Sequence, residues 1–258
     1  MIDPPAALAL NGCRQKISMP FTLAHPAAVL PLRRFCPRFL NFPALVAGSL
    51  SPDAGYLFNT LNLDEFSHSL GGSLGFCLPA GVVMLGFFYA LRLPVVGMLP
   101  ERHRKYLRPC CRQPIGSMLT VIISLLAGIW IHLLLDSFTH KNGWLVVNLP
   151  VLQTPVFSAV DHTFRIFNLL WYACSFAGIV WVYLAWELWR DRSTGMASSA
   201  ASRGQWTQAI LAGVLMVPIE LAHHLISGPA GLFLIAGYGA LLIIGVAWRM
   251  RSKPSANG

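Results

Sequence analysis

The chain has 258 residues, of which 55% are apolar and only 11% charged, less than half of the roughly 25% that clothes a soluble domain. Disordered, collagen-like and coiled-coil chains are excluded, because they need fewer large apolar residues or a strict repeat. The net charge of +9, from 19 Lys and Arg against 10 Asp and Glu, fits the basic loops of a membrane protein. Nucleic acid is not the expected partner, since the basic residues are scattered over several loops without interleaved aromatics.

In chain order, residues 1–18 read as a disordered or misannotated extension. Ala6–Leu10 is too short for a signal-peptide core, and Met19 is a candidate start. The remainder, 19–258, reads as one integral membrane domain, with a motif-bearing half at 19–143 and helical hairpins at 144–258. A helix needs about 20 apolar residues to cross a bilayer. Five stretches approach or reach that length: Leu70–Leu91, Met118–Leu135, Asn168–Trp189, Gln208–Ile226 and Pro229–Trp248. A sixth, Phe39–Phe58, is interrupted by Pro43 and by Ser51-Pro52-Asp53, and is expected either to cross as a broken helix or to enter and return. The expected fold is therefore all-α, a polytopic helical membrane protein of five to six spans with a broken or re-entrant N-terminal helix. Trp171, Trp189, Trp206 and Trp248 stand near span ends, as an aromatic belt requires. Ser227-Gly228-Pro229 marks a hairpin turn, and Ser193–Ser202 a linker.

Orientation follows from the basic residues. Arg92, Arg102, Arg104, Lys105, Arg108 and Arg112 lie in one loop. Arg190, Arg192 and Arg203 lie in a second, and Arg249, Arg251 and Lys253 in the tail. The loop from Asp136 to Phe167 holds only Lys141 and Arg165. The first two loops and the C-terminal tail are thus expected in the cytoplasm, and the 136–167 loop outside. The basic loop Glu101–Arg112 is expected to meet membrane lipids through their anionic headgroups. The six cysteines form no C-x-x-C pair, so neither a disulfide framework nor a zinc ribbon is expected.

The most informative stretch is His132-Leu-Leu-Leu-Asp136-Ser-Phe-Thr-His140. Spacing of four puts the three polar side chains on one helical face. Imidazole and carboxylate are the usual ligands of zinc and similar divalent ions, and an ionisable group among apolar residues is costly enough to suggest a function. A His–Asp hydrogen bond that packs the helix end fits the same spacing. His25 precedes a short apolar helix, Asp53 sits at the Pro52 break, and His68 opens the first clear span. The topology, set without these residues, brings His68, Asp136 and His140 to one face of the membrane.

The motifs Met19-Pro20-Phe21-Thr22-x-x-His25-Pro26, Gly48-Ser49-x-x-Pro52-Asp53, Ser67-His68-Ser69 and His132-x-x-x-Asp136-x-x-Thr139-His140 resemble those of a family of bacterial integral membrane proteins of uncharacterised function. Their order is similar to that of the LexA-regulated membrane-bound metal-dependent hydrolases, and more distantly to zinc-dependent phospholipase C. Those hydrolases carry an early His, a Pro-Asp-x-Asp, a Thr-His-Ser before a span and a His-x-x-x-Asp at a later helix end. The resemblance covers roughly residues 19–143. It implies metal ligands at His25, Asp53, His68, His132 and Asp136, with His140 as a weaker addition. It also implies a divalent metal, zinc first, and a bacterial inner membrane. Two departures stand out: Gly55 replaces the second Asp of Pro-Asp-x-Asp, and Asp64 and Glu65 stand where a His-Arg often precedes Thr-His-Ser.

Glu220, His223 and His224 lie in the fourth stretch, where a Glu220–His224 pair satisfying itself within the bundle is the preferred reading. Asp161 and His162 read as solvated loop residues. The functional expectation is a metal-dependent hydrolase at the outer membrane face, acting on a phosphoester or lipid headgroup, with Asp64 or Glu65 as general base. The alternative is a non-enzymatic membrane protein, a transporter or an assembly factor.

Overall fold

The structure is a computed structural model, and it describes residues 25–61, 63–159, 162–193 and 202–225. Helix α1 (His25–Val29) runs into a 3-10 turn at Leu30–Phe35. Helix α2 (Phe42–Leu50) follows, then a 3-10 segment at Pro52–Leu61 and α3 (Leu63–Ser67). Next come α4 (Leu70–Gly97), α5 (Glu101–Cys111), α6 (Met118–Thr139) and α7 (Trp144–Asn148). A short antiparallel hairpin, β1 (Pro155–Ala159) with β2 (His162–Arg165), leads into α8 (Ile166–Ser193) and α9 (Arg203–Leu225).

Three helices among the described residues are long and apolar enough to cross a membrane: Leu70–Gly97, Met118–Asn148 (α6 continued through α7) and Ile166–Ser193. Each outruns the apolar stretch that announced it. In α4 the helix continues through Pro94, whose missing N–H costs one bond of the ladder, and ends at Met98. The fourth apolar stretch forms α9, packed along α8. Residues 1–18, the Ser227-Gly228-Pro229 turn, Pro229–Trp248 and the basic tail lie outside the described residues.

The broken stretch Phe39–Phe58 resolves into a nine-residue helix and a 3-10 segment. At 1.5 Å per residue, α2 is about 13 Å long, under half of a hydrocarbon core of about 30 Å. Its start is fixed by Asn41, whose side chain accepts from Ala44 N–H, and by Pro43 in the first turn. It lies parallel to α6 and in step with it. Asn41 N–H donates to Ser124 Oγ at 2.8 Å, and eight residues further along both helices His132 Nδ1–H donates to the Ser49 carbonyl, also at 2.8 Å.

Small residues permit this contact. A Cβ on Gly48 would stand 2.2 Å from the Leu125 carbonyl oxygen, and one on Gly128 would stand 2.3 Å from that of Leu45. Glycines that let two backbones touch are the usual device for helix packing in lipid, where apolar burial alone gives no preference for protein over solvent. Ala44, Ala47, Leu85, Val121 and Leu125 fill the core between α2, α4 and α6.

At the end of the molecule remote from His132, Arg33 lies over the rings of Phe42 and Trp189, and Tyr106 of α5 packs edge-on to Trp189. Arg33, Arg34 and Arg38 therefore gather at the same end as the basic helix α5. Two expectations are corrected here. Trp171, assigned to an aromatic belt, is buried and packs edge-on against Tyr172. Glu187, which its neighbours Trp186, Trp189 and Arg190 mark in the sequence as interfacial, is also buried, held by both terminal guanidinium nitrogens of Arg190 at 2.6 and 2.7 Å.

Candidate metal centre

Four separate segments bring their polar side chains to one buried point. His25 comes from the first turn of α1, and Asp53 from the turn where Pro52 ends α2. His68 comes from the bend between α3 and α4, and His132 and Asp136 from successive turns of α6. All but His68 are buried, and His132 is fully so. Two trios have ligand atoms mutually within 4.8 Å: His25, His132 and Asp136, and Asp53, His68 and His132.

Distances sharpen this grouping. His132 Nε2 lies 3.0 Å from Asp136 Oδ2, 3.4 Å from His68 Nε2 and 3.6 Å from Asp53 Oδ1. His68 Nε2 lies 3.3 Å from Asp136 Oδ2 and 3.9 Å from Asp53 Oδ1. Four atoms around a tetrahedral zinc at 2.0–2.2 Å stand about 3.3–3.6 Å apart, so these five separations suit one small divalent cation. His132 has one free nitrogen and cannot serve two ions, which makes a single ion the arrangement that uses all four donors.

The tautomers agree. Because Ser49 offers a carbonyl, His132 carries a proton on Nδ1, so in the neutral ring the Nε2 lone pair is turned to the cluster. A ligating imidazole is ordinarily held in this way, by a hydrogen bond from its other nitrogen. His68 Nδ1 is likewise engaged, by the Ser67 hydroxyl at 3.1 Å. The chemical need is equally plain. Both Asp53 oxygens, His25 Nδ1 and His140 Nε2 are buried with no hydrogen-bond partner, and Asp136 Oδ2 faces only the two imidazoles. Buried carboxylates are normally paired, hydrogen-bonded or bound to metal. The residues fit a divalent cation.

His25 and His140 stand differently. His25 Nε2 is 3.2 Å from Asp136 Oδ1 and its Nδ1 is 3.7 Å from Asp53 Oδ2, so its ring bridges the two carboxylates on the oxygens outside the four-atom set. It also stacks on His132 with ring centroids 3.9 Å apart. His140 Nδ1 faces Asp136 Oδ1 at 3.3 Å and the Thr139 hydroxyl at 3.1 Å. That hydroxyl is already donating to the Leu135 carbonyl, so the proton between them belongs to His140. Both histidines can orient Asp136 without touching the ion.

Glu65 is exposed on α3, outside the buried cluster. The side chains of Asp64, Glu220, His223, His224, Asp161 and His162 lie outside the described residues. Gly55, noted for lacking the second Asp of Pro-Asp-x-Asp, packs against α3. A Cβ there would stand 2.4 Å from Ser67 Oγ, the atom that engages His68. The position is given over to seating His68. Ser49 and Ser67 stand in the motifs, but their parts in seating His132 and His68 were not read from the sequence; the Ser49 contact is a backbone carbonyl, which has no side-chain signature.

The chain belongs to the family described as a domain of unknown function (DUF4184), which matches residues 19–249. The match covers all of the donors gathered here. Neither the comparison with curated proteins nor that with solved structures returned a match.

Proposed function

We propose that the chain is a membrane-bound metal-dependent hydrolase whose site lies near the outer end of its spans and takes a phosphoester, with a lipid headgroup as the natural carrier. One observation carries this reading: two buried carboxylates and two imidazoles, from three separate segments, stand with carboxylate–imidazole and imidazole–imidazole separations of 3.0–3.9 Å, near the edge length of a metal tetrahedron, and Asp53 has no hydrogen-bond partner of its own. Asp53, His68, His132 and Asp136 would hold the ion, zinc being the first choice for two nitrogens and two oxygens in this geometry. A bound divalent ion supplies charge stabilisation at a phosphoryl oxygen and brings the pKa of water down to about 7.

The chain's own residues do the rest. His25 and His140 hold Asp136 by the oxygen turned away from the ion, and the buried rings keep bulk water from three sides. His68 and His140 form the partly exposed edge through which substrate would enter. Glu65, three residues before His68 and solvent-facing, and its neighbour Asp64 are the candidate proton acceptors. The bacterial inner membrane, five or six spans and a cytoplasmic C-terminus complete the proposal. The gathering of Arg33, Arg34 and Arg38 with the basic helix α5 supports a cytoplasmic end that meets anionic headgroups.

The test is elemental analysis of protein purified without added metal, beside His132→Ala and Asp53→Asn. About one equivalent of divalent metal, lost in both variants, is expected, together with hydrolysis of a phosphoester that chelator abolishes. Protein free of metal and indifferent to chelator overturns the reading.

A further inference from the structure

Between Lys141 and Asp161 the chain has no charged residue. From sequence this is the external loop. The structure gives it a different character. The stretch is an ordered unit in which several polar groups are tied to its own backbone. Gln153 Nε2 donates to the Val146 carbonyl, Arg165 donates to the Gln153 carbonyl at 2.6 Å, and Ile166 N–H donates to Thr154. Val146 is fully buried beneath it.

The large side chains that face outward are apolar. Trp144 is 70% and Val151 61% exposed, and Val147, Leu149, Val156 and Phe157 are exposed with them. Six large apolar side chains on one short, charge-free segment form the kind of patch that soluble surfaces avoid. The surface adjoins a candidate membrane span, because Trp144 and Val147 are on α7, which begins four non-helical residues after the helix carrying His132 and Asp136.

We propose that residues Trp144–Phe157 are an interfacial insertion element, seated in the outer leaflet at the level of the headgroups and first acyl carbons. Its irregular backbone excludes the hydrocarbon centre, where every unpaired N–H and C=O would be costly. Its apolar outer surface equally excludes bulk water. The interface accommodates both, and Trp144 is the residue type that favours it. A protein partner or a second copy ordinarily adds charged pairs at its rim, and this segment has no charge to offer one. The element begins four residues after His140, so it sets the exposed edge of the buried cluster at headgroup depth, whatever that cluster does.

The experiment uses the full-length protein in phospholipid vesicles and isolates the emission of Trp144 by subtracting Trp144→Phe from the native protein. A Phe157→Trp variant supplies a second, added reporter should the first variant misfold. Each component should be quenched by lipids brominated near the headgroup end of the acyl chain, should emit to the blue of solvated tryptophan, and should resist aqueous iodide. Quenching by iodide shows a solvated loop, and resistance to both quenchers shows a protein-covered one. Either result overturns the proposal. Metal content plays no part in this readout, so failure here leaves the hydrolase reading to its own test.

Discussion

Replacing Asp53 by Asn keeps the shape of the side chain while removing one of two buried negative charges. The native carboxylate has no hydrogen-bond partner, and its Oδ1 stands 3.6 and 3.9 Å from His132 and His68. If these atoms surround a cation, the substitution has opposite signs with and without the ion. In chelator, the native protein keeps two buried carboxylates within one histidine cluster, and the amide relieves one of them. Asp53→Asn should then unfold at the same temperature as native protein or higher. With the ion present at 100 times its dissociation constant, native protein gains about 2.7 kcal/mol by mass action. Disturbing even an outer partner of a metal ligand weakens binding about 10- to 100-fold, and a direct donor should reach the upper figure. At that level the same ion concentration equals the variant's dissociation constant, and the gain falls to roughly 0.4 kcal/mol. The difference of roughly 2.3 kcal/mol corresponds to about 5–9 °C in the ion-dependent shift of Tm for a chain of this size. Thermal unfolding in detergent, followed by tryptophan fluorescence with and without zinc, measures it. An Asp53→Asn variant destabilised equally in chelator and in zinc would refute the reasoning, since Asp53 would then be acting as an ordinary structural acceptor.

Other expectations follow from the same geometry. His25→Ala and His140→Ala should each weaken metal binding by about 10- to 100-fold without abolishing it, as loss of an outer partner does, whereas His132→Ala should leave no measurable site in a zinc titration. Gly128→Val forces α2 from α6 where a Cβ already meets the Leu45 carbonyl at 2.3 Å. It should cost about 1–3 kcal/mol, the usual range for overpacking, and should lower bound metal because His132 loses the Ser49 carbonyl. Gly55→Asp, which restores the Pro-Asp-x-Asp pattern, should reduce metal affinity by displacing Ser67 and His68 rather than raise it. Burial pushes the Cys36 and Cys111 thiols up, so at neutral pH both hold less thiolate than a free cysteine. Alkylation mapped by mass spectrometry should reach exposed Cys110 first, and the other two should catch up only as pH rises.

Much of this molecule is legible locally. Uninterrupted apolar length identifies α4, α6 and α8 as membrane-crossing candidates, because a helix satisfies its own backbone and only the run of side chains decides whether it suits lipid. Spacing of four along His132, Asp136 and His140 likewise places them on one face of α6, and the distances agree. Pro43 and Pro52 announce the break at α2. These features depend only on neighbours within a turn or two of the chain.

Tertiary structure decides the rest. His25 and His68 are 107 and 64 residues from His132 in sequence, and no periodicity relates them. They meet because Gly48 and Gly128 let α2 lie against α6, bringing the Ser49 carbonyl to His132 and Asp53 to His68. The same packing separates four donors that face one another from two histidines that grip Asp136 from behind, a distinction of atoms within a residue that residue identity cannot express. It also buries Trp171, which composition would leave in the aromatic belt, and turns the apolar side of Trp144–Phe157 outward. Sequence determines which residues can enter a membrane and which could bind a cation, since both are properties of single side chains and short runs. Which of them share a site, and which face lipid, is set by helix-to-helix distances that exist only once the chain is folded.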